Sequence, residues 1–548
     1  MYTVTVSDRK MNFALPMTAE EIMKAMCPGE RVLACLCGGS ILELGACIDS
    51  DVTLRPLTYQ DEEGRRIWER SLRFVLLLAA KRLFPDRHIR IDNSLGYGVY
   101  MSFRECAAEE EELKVLEEEM RRIVSEDLPF IRETWTREQT EVYFASQGEP
   151  DKMHLLDYCA DLTFPVYGLC GMYEYFYGAM LPRTGMLNAF SVWKCKNGFV
   201  MQMPSPKDPD RPAAPAVLER HLEAFDRGNM WCRVLGVSTV ADLNDTIVSG
   251  KFREFIRINE ALQDKSAAEA ADAVFARRAK AVFIAGPSSS GKTTFANRLR
   301  VHLRVLGLQP VLVSLDDFYR NKDTLPLEAD GKPDLEALDA LDTELLRSCI
   351  EGLLAGKEMM MPRFDFNVHK RMEEMYPLRL EDNDVLIMEG IHALNPALHE
   401  GFDKNLIFKI FITELTSINL DAHNRIRTTD ARLLRRIVRD LRFRGTPVEE
   451  TMEVWASVRR GEERWIFPYQ EEADLVFNSV LHYELAVLKN EISGALSAVR
   501  PDSPNFTAAR RLLRILYCIL PAPEDALREI PPLSLLREFI GGNTFYDN

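Results

Sequence analysis

Residues 286–293 read GPSSSGKT, a loop of small residues that ends in a lysine and a threonine. The loop fits the pattern G-x-x-x-x-G-K-[ST], and it stands between the apolar run AVFIA and a segment with helical patterning. Its glycines let backbone N–H groups converge on a phosphate, while the lysine neutralises phosphate oxygens and the threonine hydroxyl binds Mg²⁺. We therefore predict a nucleotide phosphate site formed by Gly286, Pro287, Ser288, Ser289, Ser290, Gly291, Lys292, Thr293 and Thr294.

Acidic residues follow the next two apolar strands, in the stretches SLDDFY and DVLIMEG. Open parallel sheets bind their ligands at the carboxyl ends of the strands, so both acidic groups should face the loop. We predict that Asp316 accepts the proton of an acceptor hydroxyl and that Tyr319 shapes the acceptor site. Asp317 is expected to cap a helix or to act as a second Mg²⁺ carboxylate. Glu389 and Thr293 together predict a Mg²⁺ site.

An arginine-rich helix is predicted further along the chain, in NRIRTTDARLLRRIVRDLRFRG, residues 424–445. The segment holds eight arginines against two aspartates, so most of its positive charge has no partner within the segment. Such a helix can close over nucleotide phosphates and stabilise the transferred charge, whereas a solvated face or an RNA surface is the alternative. We assign the lid to Arg432, Arg435, Arg436 and Arg439. Arg435 joins Lys292 and Asp316 as a predicted catalytic residue.

The segment RFDFNVHKR, residues 363–371, lies between these motifs and mixes aromatic, acidic and basic side chains, which suits a flat polar ligand. With GPSSSGKTT, SLDDFY, IMEGI and ARLLRRIVRD it completes a series that resembles the uridine kinase and phosphoribulokinase family across residues 280–498. The resemblance implies ATP and Mg²⁺ as cofactors and transfer of the γ-phosphate to the 5′-hydroxyl of a nucleoside such as uridine or cytidine. Together with Tyr319, the acceptor-binding residues are then Asp316, Asp342, Asp365, Phe366, His369 and Arg432.

One departure from the family pattern leaves other acceptors open. Uridine kinases typically carry an Asp-His-Pro step before the second aspartate, whereas this chain reads GKPDLEALDALD without a histidine. A phosphoribulokinase-like sugar phosphate kinase is the first alternative, because Arg363, Lys370 and Arg371 could face an anionic acceptor. The second alternative is an RNA-binding protein whose nucleotide site acts as a switch.

The first 205 residues resemble the N-terminal part of threonyl-tRNA synthetase, through LTYQDEEGRRIWERSLRFVLL, NSLGYGVY and FASQGEP. The resemblance implies a TGS domain and an editing domain, whose pocket carries a His-x-x-x-His and a Cys-x-x-x-His pair. Arg70 and Phe74 stand at the first pair here, and Cys159 and Thr163 stand at the second. Because one ligand of four remains, we expect no zinc and no deacylation, while an RNA contact through this half stays open.

Five parts follow from these motifs and from the composition. They are a TGS-like module (1–60), an editing-like module (61–205), a helical connector (206–279), a kinase-like module (280–498) and a C-terminal helical extension (499–548). The predicted fold class is α/β, with a mostly parallel sheet flanked by helices, preceded by the two α+β modules. Ser266 is expected to cap the last connector helix, and PSPKDPDRPAAP is expected to be a linker or surface loop.

The net charge and the hydropathy of the sequence limit which binding partners and which cellular location we expect. The formal net charge of −16 argues against wholesale binding of nucleic acid or a membrane surface. The longest apolar run, FVLLLAA, is too short to span a bilayer, and the N-terminus lacks a signal-peptide pattern. We expect a cytoplasmic protein that acts on a small molecule, with a homo-oligomer left open.

Overall fold

The computed structural model describes residues 1–321, 324–327, 331, 333–365, 368 and 370–545. Its α-helices are α1 Ala19–Met26, α2 Glu62–Leu83, α3 Glu110–Ser125, α4 Arg137–Gln147, α5 Pro150–Leu156, α6 Glu219–Leu235, α7 Val240–Val248, α8 Phe252–Arg277, α9 Lys292–Val305, α10 Thr343–Leu354, α11 Thr428–Phe443, α12 Val448–Trp465, α13 Glu484–Ser497, α14 Phe506–Tyr517 and α15 Arg537–Ile540. Its strands are β1 Tyr2–Val6, β2 Arg9–Phe13, β3 Met17–Thr18, β4 Ala34–Cys37, β5 Ser40–Leu42, β6 Cys47–Ile48, β7 Val52–Leu57, β8 Ile89–Leu95, β9 Gly98–Phe103, β10 Ile131–Thr136, β11 Thr163–Leu169, β12 Met172–Glu174, β13 Ser191–Cys195, β14 Gly198–Gln202, β15 Pro204–Ser205, β16 Asp208–Pro212, β17 Ala281–Ala285, β18 Gln309–Ser314, β19 Met359–Met361, β20 Phe364–Asp365, β21 Lys370–Arg371, β22 Tyr376–Leu378, β23 Asp384–Glu389, β24 Ile407–Thr413 and β25 Leu475–Asn478.

The kinase-like module is built on a parallel sheet with the strand order β18-β23-β17-β24-β25. Every residue of the central strand β17 is buried, because helices cover both faces of the sheet. Val282 and Ile284 face a core shared with α9, α11 and α13, whereas Phe283 faces a core shared with α10. The predicted α/β class is confirmed.

The TGS-like module is a mixed sheet in the order β2-β1-β7-β4-β5, packed against α1. Thr18 caps α1, since its hydroxyl accepts the Glu21 N–H and the Glu21 carboxylate accepts the Thr18 N–H. This reciprocal pair satisfies two amides that the helix itself leaves without partners.

The editing-like module contains two antiparallel sheets, in the orders β13-β14-β9-β8 and β10-β11-β12. The long helix α2 packs against them along an almost continuously buried face. That burial fixes the side chains of α2, among them Arg66 and Arg70, between the modules.

Two expectations for the connector are wrong. Ser266 lies inside α8, which runs from Phe252 to Arg277, because the alanine-rich sequence around it favours helix and its stripe of buried residues continues without a break. The proline-rich segment forms the antiparallel hairpin β15–β16 instead of an open loop. Proline is tolerated there because, among the described strands, the hairpin pairs with no larger sheet.

The C-terminal extension wraps back over the other modules. Its helix α14 packs on α13, and the Thr507 hydroxyl bonds to a backbone oxygen of Gly39 in the TGS-like module. The short helix α15 packs on α11, and Leu535 and Phe539 are fully buried there. Among the described residues, no helix is long and apolar enough to cross a membrane.

Candidate active site

Three strands of the parallel sheet end beside one another and bring the predicted motifs together. In the register of the sheet, Glu389 at the end of β23 lies between Ser314 of β18 and Ile284 of β17. The phosphate loop, residues 286–293, follows β17, and the turn that carries Asp316 follows β18. The carboxyl edge of the sheet therefore collects the loop and two carboxylates.

Glycine is required at both ends of the phosphate loop for different reasons. A Cβ on Gly286 would lie 2.2 Å from the backbone oxygen of Ile412, so only glycine lets β17 and β24 approach this closely. Gly291 has φ +88°, a left-handed conformation that turns the chain into α9. The N-terminus of α9 consequently begins at Lys292, with its free amides directed toward the loop.

Lys292 is half-buried at the centre of the site and lies close to Asp316, Glu389 and Glu538. Burial lowers the pKa of its ammonium group, and the three carboxylates raise it. Burial in turn raises the pKa of Asp316 above its usual value and that of Glu389 to about 7, although Lys292 lowers both. The pKa of Lys292 thus depends on the charge of the carboxylates, and the pKa values of Asp316 and Glu389 depend on the charge of Lys292.

Thr293 and Glu389 form the donor set that the sequence assigned to Mg²⁺. The Thr293 hydroxyl lies 3.4 Å from Glu389 Oε1, and the Ser314 hydroxyl lies 3.5 Å from the same oxygen. Hydroxyl and carboxylate oxygens beside a phosphate-binding lysine suit Mg²⁺, which takes few protein ligands and completes its shell with phosphate and water. The arrangement fits that ion.

On the acceptor side, Asp316 follows Ser314, whose hydroxyl accepts the Asp316 N–H. The ring of Tyr319 lies 5.9 Å from that of Phe364, and the Tyr319 hydroxyl donates to the backbone oxygen of Leu335. These two rings form an aromatic wall near the predicted base. Within the described part of the chain Asp317 does not form the expected helix cap, and its carboxylate accepts the N–H of Phe364. Its alternative role as a second Mg²⁺ carboxylate stays a prediction.

Asp342 and Asp365 lie on the same side but differ in their contacts. Asp342 caps α10 by accepting the Leu345 N–H, and its other oxygen lies 3.1 Å from Arg371. Arg371 also donates to the backbone oxygens of Phe318 and Tyr319, which ties this pair to the Asp316 turn. Asp365 is half-buried in β20.

Phe366 and His369, predicted near the base of a nucleoside, lie outside the described residues. Their assignment as acceptor contacts therefore stays a prediction from the family resemblance.

The arginines of α11 reach the phosphate loop, and two of them are fully buried. Arg432 donates to the backbone oxygen of Ser288 and to the carboxylate of Glu462, which lies on α12. Arg435 donates to Glu484 and to the backbone oxygen of Ser479. The charge count within residues 424–445 was misleading, because the carboxylates that pair these arginines come from other helices.

The remaining two predicted lid residues lie farther out on α11. Arg436 donates to the Ser288 hydroxyl at 2.9 Å and also pairs with Asp440, while Arg439 pairs with the same aspartate at 3.2 Å. Arg436 therefore contacts the loop with its side chain, and Arg439 does not.

Sequence reasoning missed three carboxylates that surround the loop. Glu462 accepts the Ser288 N–H at 3.0 Å, and Glu538 of α15 accepts the Thr294 hydroxyl at 2.7 Å. Glu336, whose pKa burial raises to about 7, lies near Glu462 and Lys292. None of the three belongs to a motif, so only the fold could bring them to the site.

Known proteins resemble this site in sequence. A profile of the phosphoribulokinase/uridine kinase family matches residues 281–486. A uridine kinase of Halobacterium salinarum is 32% identical over 198 residues, which are 36% of this chain and 78% of that protein. A uridine kinase of Macrococcus caseolyticus is 33% identical over 195 residues, which are 35% of this chain and 84% of that protein. The chain belongs to the phosphoribulokinase and uridine kinase family. As a member, it is an ATP-dependent phosphotransferase that acts on a hydroxyl group.

The N-terminal part has a different relative. A threonine–tRNA ligase of Desulforamulus reducens is 32% identical over 204 residues, which are 36% of this chain and 32% of the ligase. The chain thus spans about a third of the ligase's length. The predicted fusion of synthetase-like modules with a family kinase is confirmed.

Proposed function

We propose that this protein transfers the γ-phosphate of ATP to the 5′-hydroxyl of a nucleoside, with uridine and cytidine as the first candidates. The observation that carries the proposal is the position of Asp316, half-buried beside Lys292 at the carboxyl edge of the sheet. A base must lie within reach of the hydroxyl that attacks the phosphate, and the turn after β18 puts Asp316 next to the phosphate loop.

Each residue of the site has a separate role in an in-line transfer of the γ-phosphoryl group. Asp316 orients the acceptor hydroxyl and receives its proton, and burial, which raises the pKa of Asp316, makes it a better proton acceptor. Lys292 holds the β- and γ-phosphate oxygens, and Arg436 lies at the outer end of the loop to stabilise charge on the transferred group. Mg²⁺, held by Thr293 and Glu389, would neutralise phosphate charge.

In this proposal Arg432 and Arg435 stabilise the phosphate loop and do not bind the transferred phosphoryl group. Both guanidinium groups are buried against loop carbonyls and are paired with Glu462 and Glu484. We infer that they hold the shape of the phosphate loop through the backbone oxygens of residues 288 and 289, and that Arg436 and Arg439 are the lid arginines that act on the phosphates.

The contacts of the acceptor side favour a neutral acceptor over a sugar phosphate. Arg371 is already paired with Asp342, and the guanidinium of Arg363 stacks over the ring of Tyr376. An anionic acceptor would have to displace these partners, whereas a nucleoside can use the Tyr319–Phe364 wall for its base. The sugar phosphate kinase is therefore the second candidate, and a cytoplasmic RNA-binding switch is the third.

The test is ADP release by the full-length protein with ATP and Mg²⁺ across a panel of nucleosides and sugar phosphates. We expect at least one pyrimidine nucleoside to stimulate release and Lys292→Ala to abolish it. Stimulation by ribulose 5-phosphate alone would contradict the nucleoside assignment. ATP binding without stimulation by any acceptor, together with tRNA binding that survives Asp316→Ala, would favour the switch.

A further inference from the structure

A cavity of about 690 Å³ lies where the TGS-like module, the editing-like module and α14 meet, and none of its lining residues belongs to the phosphate loop. Its charged lining is unbalanced, with five arginines against the two carboxylates of Glu43 and Glu63. The five are Arg70, Arg132, Arg510, Arg511 and Arg514. In a protein with a net charge of −16, this is a local concentration of positive charge.

Arg70 is the most deeply placed of these cations. Its guanidinium donates to the backbone oxygen of Ala179, and among the described residues no carboxylate lies within ion-pair distance. A Cβ on Gly178 would lie 2.6 Å from that guanidinium, so the backbone at Gly178 packs closely against Arg70. The half-buried guanidinium of Arg70 therefore lies at the cavity wall without an ion-pair partner and can donate to an anion.

Helix α14 supplies a second group of cations from the opposite wall. Arg510 and Arg514 are one turn apart and exposed, and in the described part of the chain neither has a carboxylate within ion-pair distance. The same two arginines also line a neighbouring cavity of about 530 Å³, together with Tyr177. The guanidinium of Arg510 lies over the ring of Phe506, 5.8 Å from its centroid, and both arginines border the two spaces.

Arg132 and Arg511 differ from these three, because both have partners in the fold. Arg132 lies 3.6 Å from Glu43, and Arg511 pairs with Glu63 and Asp430. Among the described residues, the cavity arginines without an ion-pair partner are thus Arg70, Arg510 and Arg514.

We propose that this cavity binds a small phosphate-bearing molecule through Arg70, Arg510 and Arg514. Guanidinium groups match phosphate oxygens with paired N–H donors, and three of them approach from two walls. The volume exceeds the needs of a bare phosphate and lies within the range of small-molecule sites. Tyr167 and Phe176 in the lining offer aromatic surface to the rest of the ligand. A sugar phosphate and a nucleotide share this chemistry.

The proposal is independent of the kinase assignment, and the test keeps the two apart. Full-length protein carrying Lys292→Ala removes the lysine on which phosphate binding at the loop depends. Calorimetric titration then uses pyrophosphate, ribose 5-phosphate, a nucleoside monophosphate and a nucleoside triphosphate as separate probes. We expect saturable binding of at least one probe in this background.

Two variants and a control locate the binding. Arg70→Ala and Arg514→Ala should each weaken it by about tenfold or more, consistent with the loss of a charge-assisted contact. Arg528→Ala should leave it unchanged, because Arg528 is exposed and lies outside the cavity. Arg514 is itself exposed, so its variant is expected to fold, and thermal unfolding of both variants checks this.

Three results would overturn the proposal. They are no binding of any phosphate probe in the Lys292→Ala background, binding that is equally strong in Arg70→Ala and Arg514→Ala, and binding of tRNA without any small phosphate. The last result would make the cavity part of an RNA surface. Which probe binds most tightly separates a nucleotide from a sugar phosphate.

Discussion

Asp316, Glu389 and Lys292 lie close enough together that the charge of each depends on the other two. Burial opposes all three charges, and the attraction between the ammonium group and the carboxylates offsets part of that cost. Removing one charge therefore changes the protonation of the remaining two. The activity of variants at these positions should therefore be measured over a range of pH values.

The role of Asp316 as a base predicts that its loss lowers kcat and leaves the KM for ATP nearly unchanged. Asp316→Asn keeps the shape of the side chain but cannot take the proton, so kcat should fall by about 10²- to 10⁴-fold while the KM for ATP stays nearly constant. Steady-state kinetics measure both. Asp317→Asn is the matched control for the base role, because the Asp317 carboxylate accepts a backbone N–H from Phe364 and an amide oxygen can replace that contact. Equal losses in the two variants would contradict the assignment.

The pKa of Glu389 predicts how the Mg²⁺ requirement depends on pH. Burial raises this pKa to about 7, so the carboxyl carries a proton below neutral pH that Mg²⁺ must displace. The Mg²⁺ concentration for half-maximal activity should therefore rise as the pH falls from about 8 to about 6, by up to about tenfold per unit below the pKa. In Glu389→Gln this rise should disappear while the requirement itself increases. The same Mg²⁺ requirement at both pH values in the unmodified protein would be evidence against the site.

At the scale of elements, the sequence located the motif-bearing loops but not the segments that cover them. GPSSSGKT and SLDDFY are contiguous, so their residues could be assigned without knowing the fold. Glu462 and Glu538 reach the loop from α12 and α15, and nothing in their local sequence indicates this. Ser266 shows the converse error, since a capping pattern is overridden when alanines continue the helix through it.

Helix α15 predicts a change in nucleotide affinity. Glu538 places a carboxylate on the Thr294 hydroxyl, in the first turn of α9, where phosphate oxygens also bind. Glu538→Gln removes a repulsion of about 1 kcal/mol, so the KM for ATP should fall about fivefold at unchanged kcat. Glu529→Gln is the control. Glu529 lies in a 3₁₀ turn of the same C-terminal extension, but it pairs with Arg257 of α8 and not with a residue of the phosphate loop. A higher KM in Glu538→Gln would mean that the carboxylate helps to bind the nucleotide.

At the scale of the whole molecule, the kinase-like and editing-like modules are joined by buried polar contacts. Asp430, in the first turn of α11, accepts two hydrogen bonds from Arg66 of α2 and one from Arg511 of α14. Asp430 is two residues from Arg432, which contacts the phosphate loop. Arg511 also lines the 690 Å³ cavity between the two N-terminal modules and α14. A chain of contacts therefore leads from that cavity through Arg511 and Asp430 to α11 and the nucleotide site.

This junction predicts a large effect on stability. Asp430→Asn leaves Arg66 buried with reduced compensation, which should lower the free energy of unfolding by about 3 kcal/mol or more. Urea unfolding of the full-length protein measures the change. Asp502→Asn removes an exposed pair with Arg500 and should change the free energy of unfolding by less than about 1 kcal/mol. A similarly small effect of Asp430→Asn would show that the modules are joined by apolar packing alone.

The sequence could predict the modules and the α/β class, because strand–loop–helix motifs and family order are local features. It could not predict that the N-terminal half would contact α11, since Arg66 and Asp430 are 364 residues apart. The same holds for the cavity, whose arginines come from α2, β10 and α14 and become neighbours only in the fold.

The most direct test of the account is a single-turnover reaction with γ-labelled ATP, full-length protein and a pyrimidine nucleoside, followed by identification of the labelled product. The account predicts label on the 5′-oxygen of the nucleoside, and none in Lys292→Ala or Asp316→Ala. Label found only in inorganic phosphate, or only on a sugar phosphate while every nucleoside stays unlabelled, would contradict it.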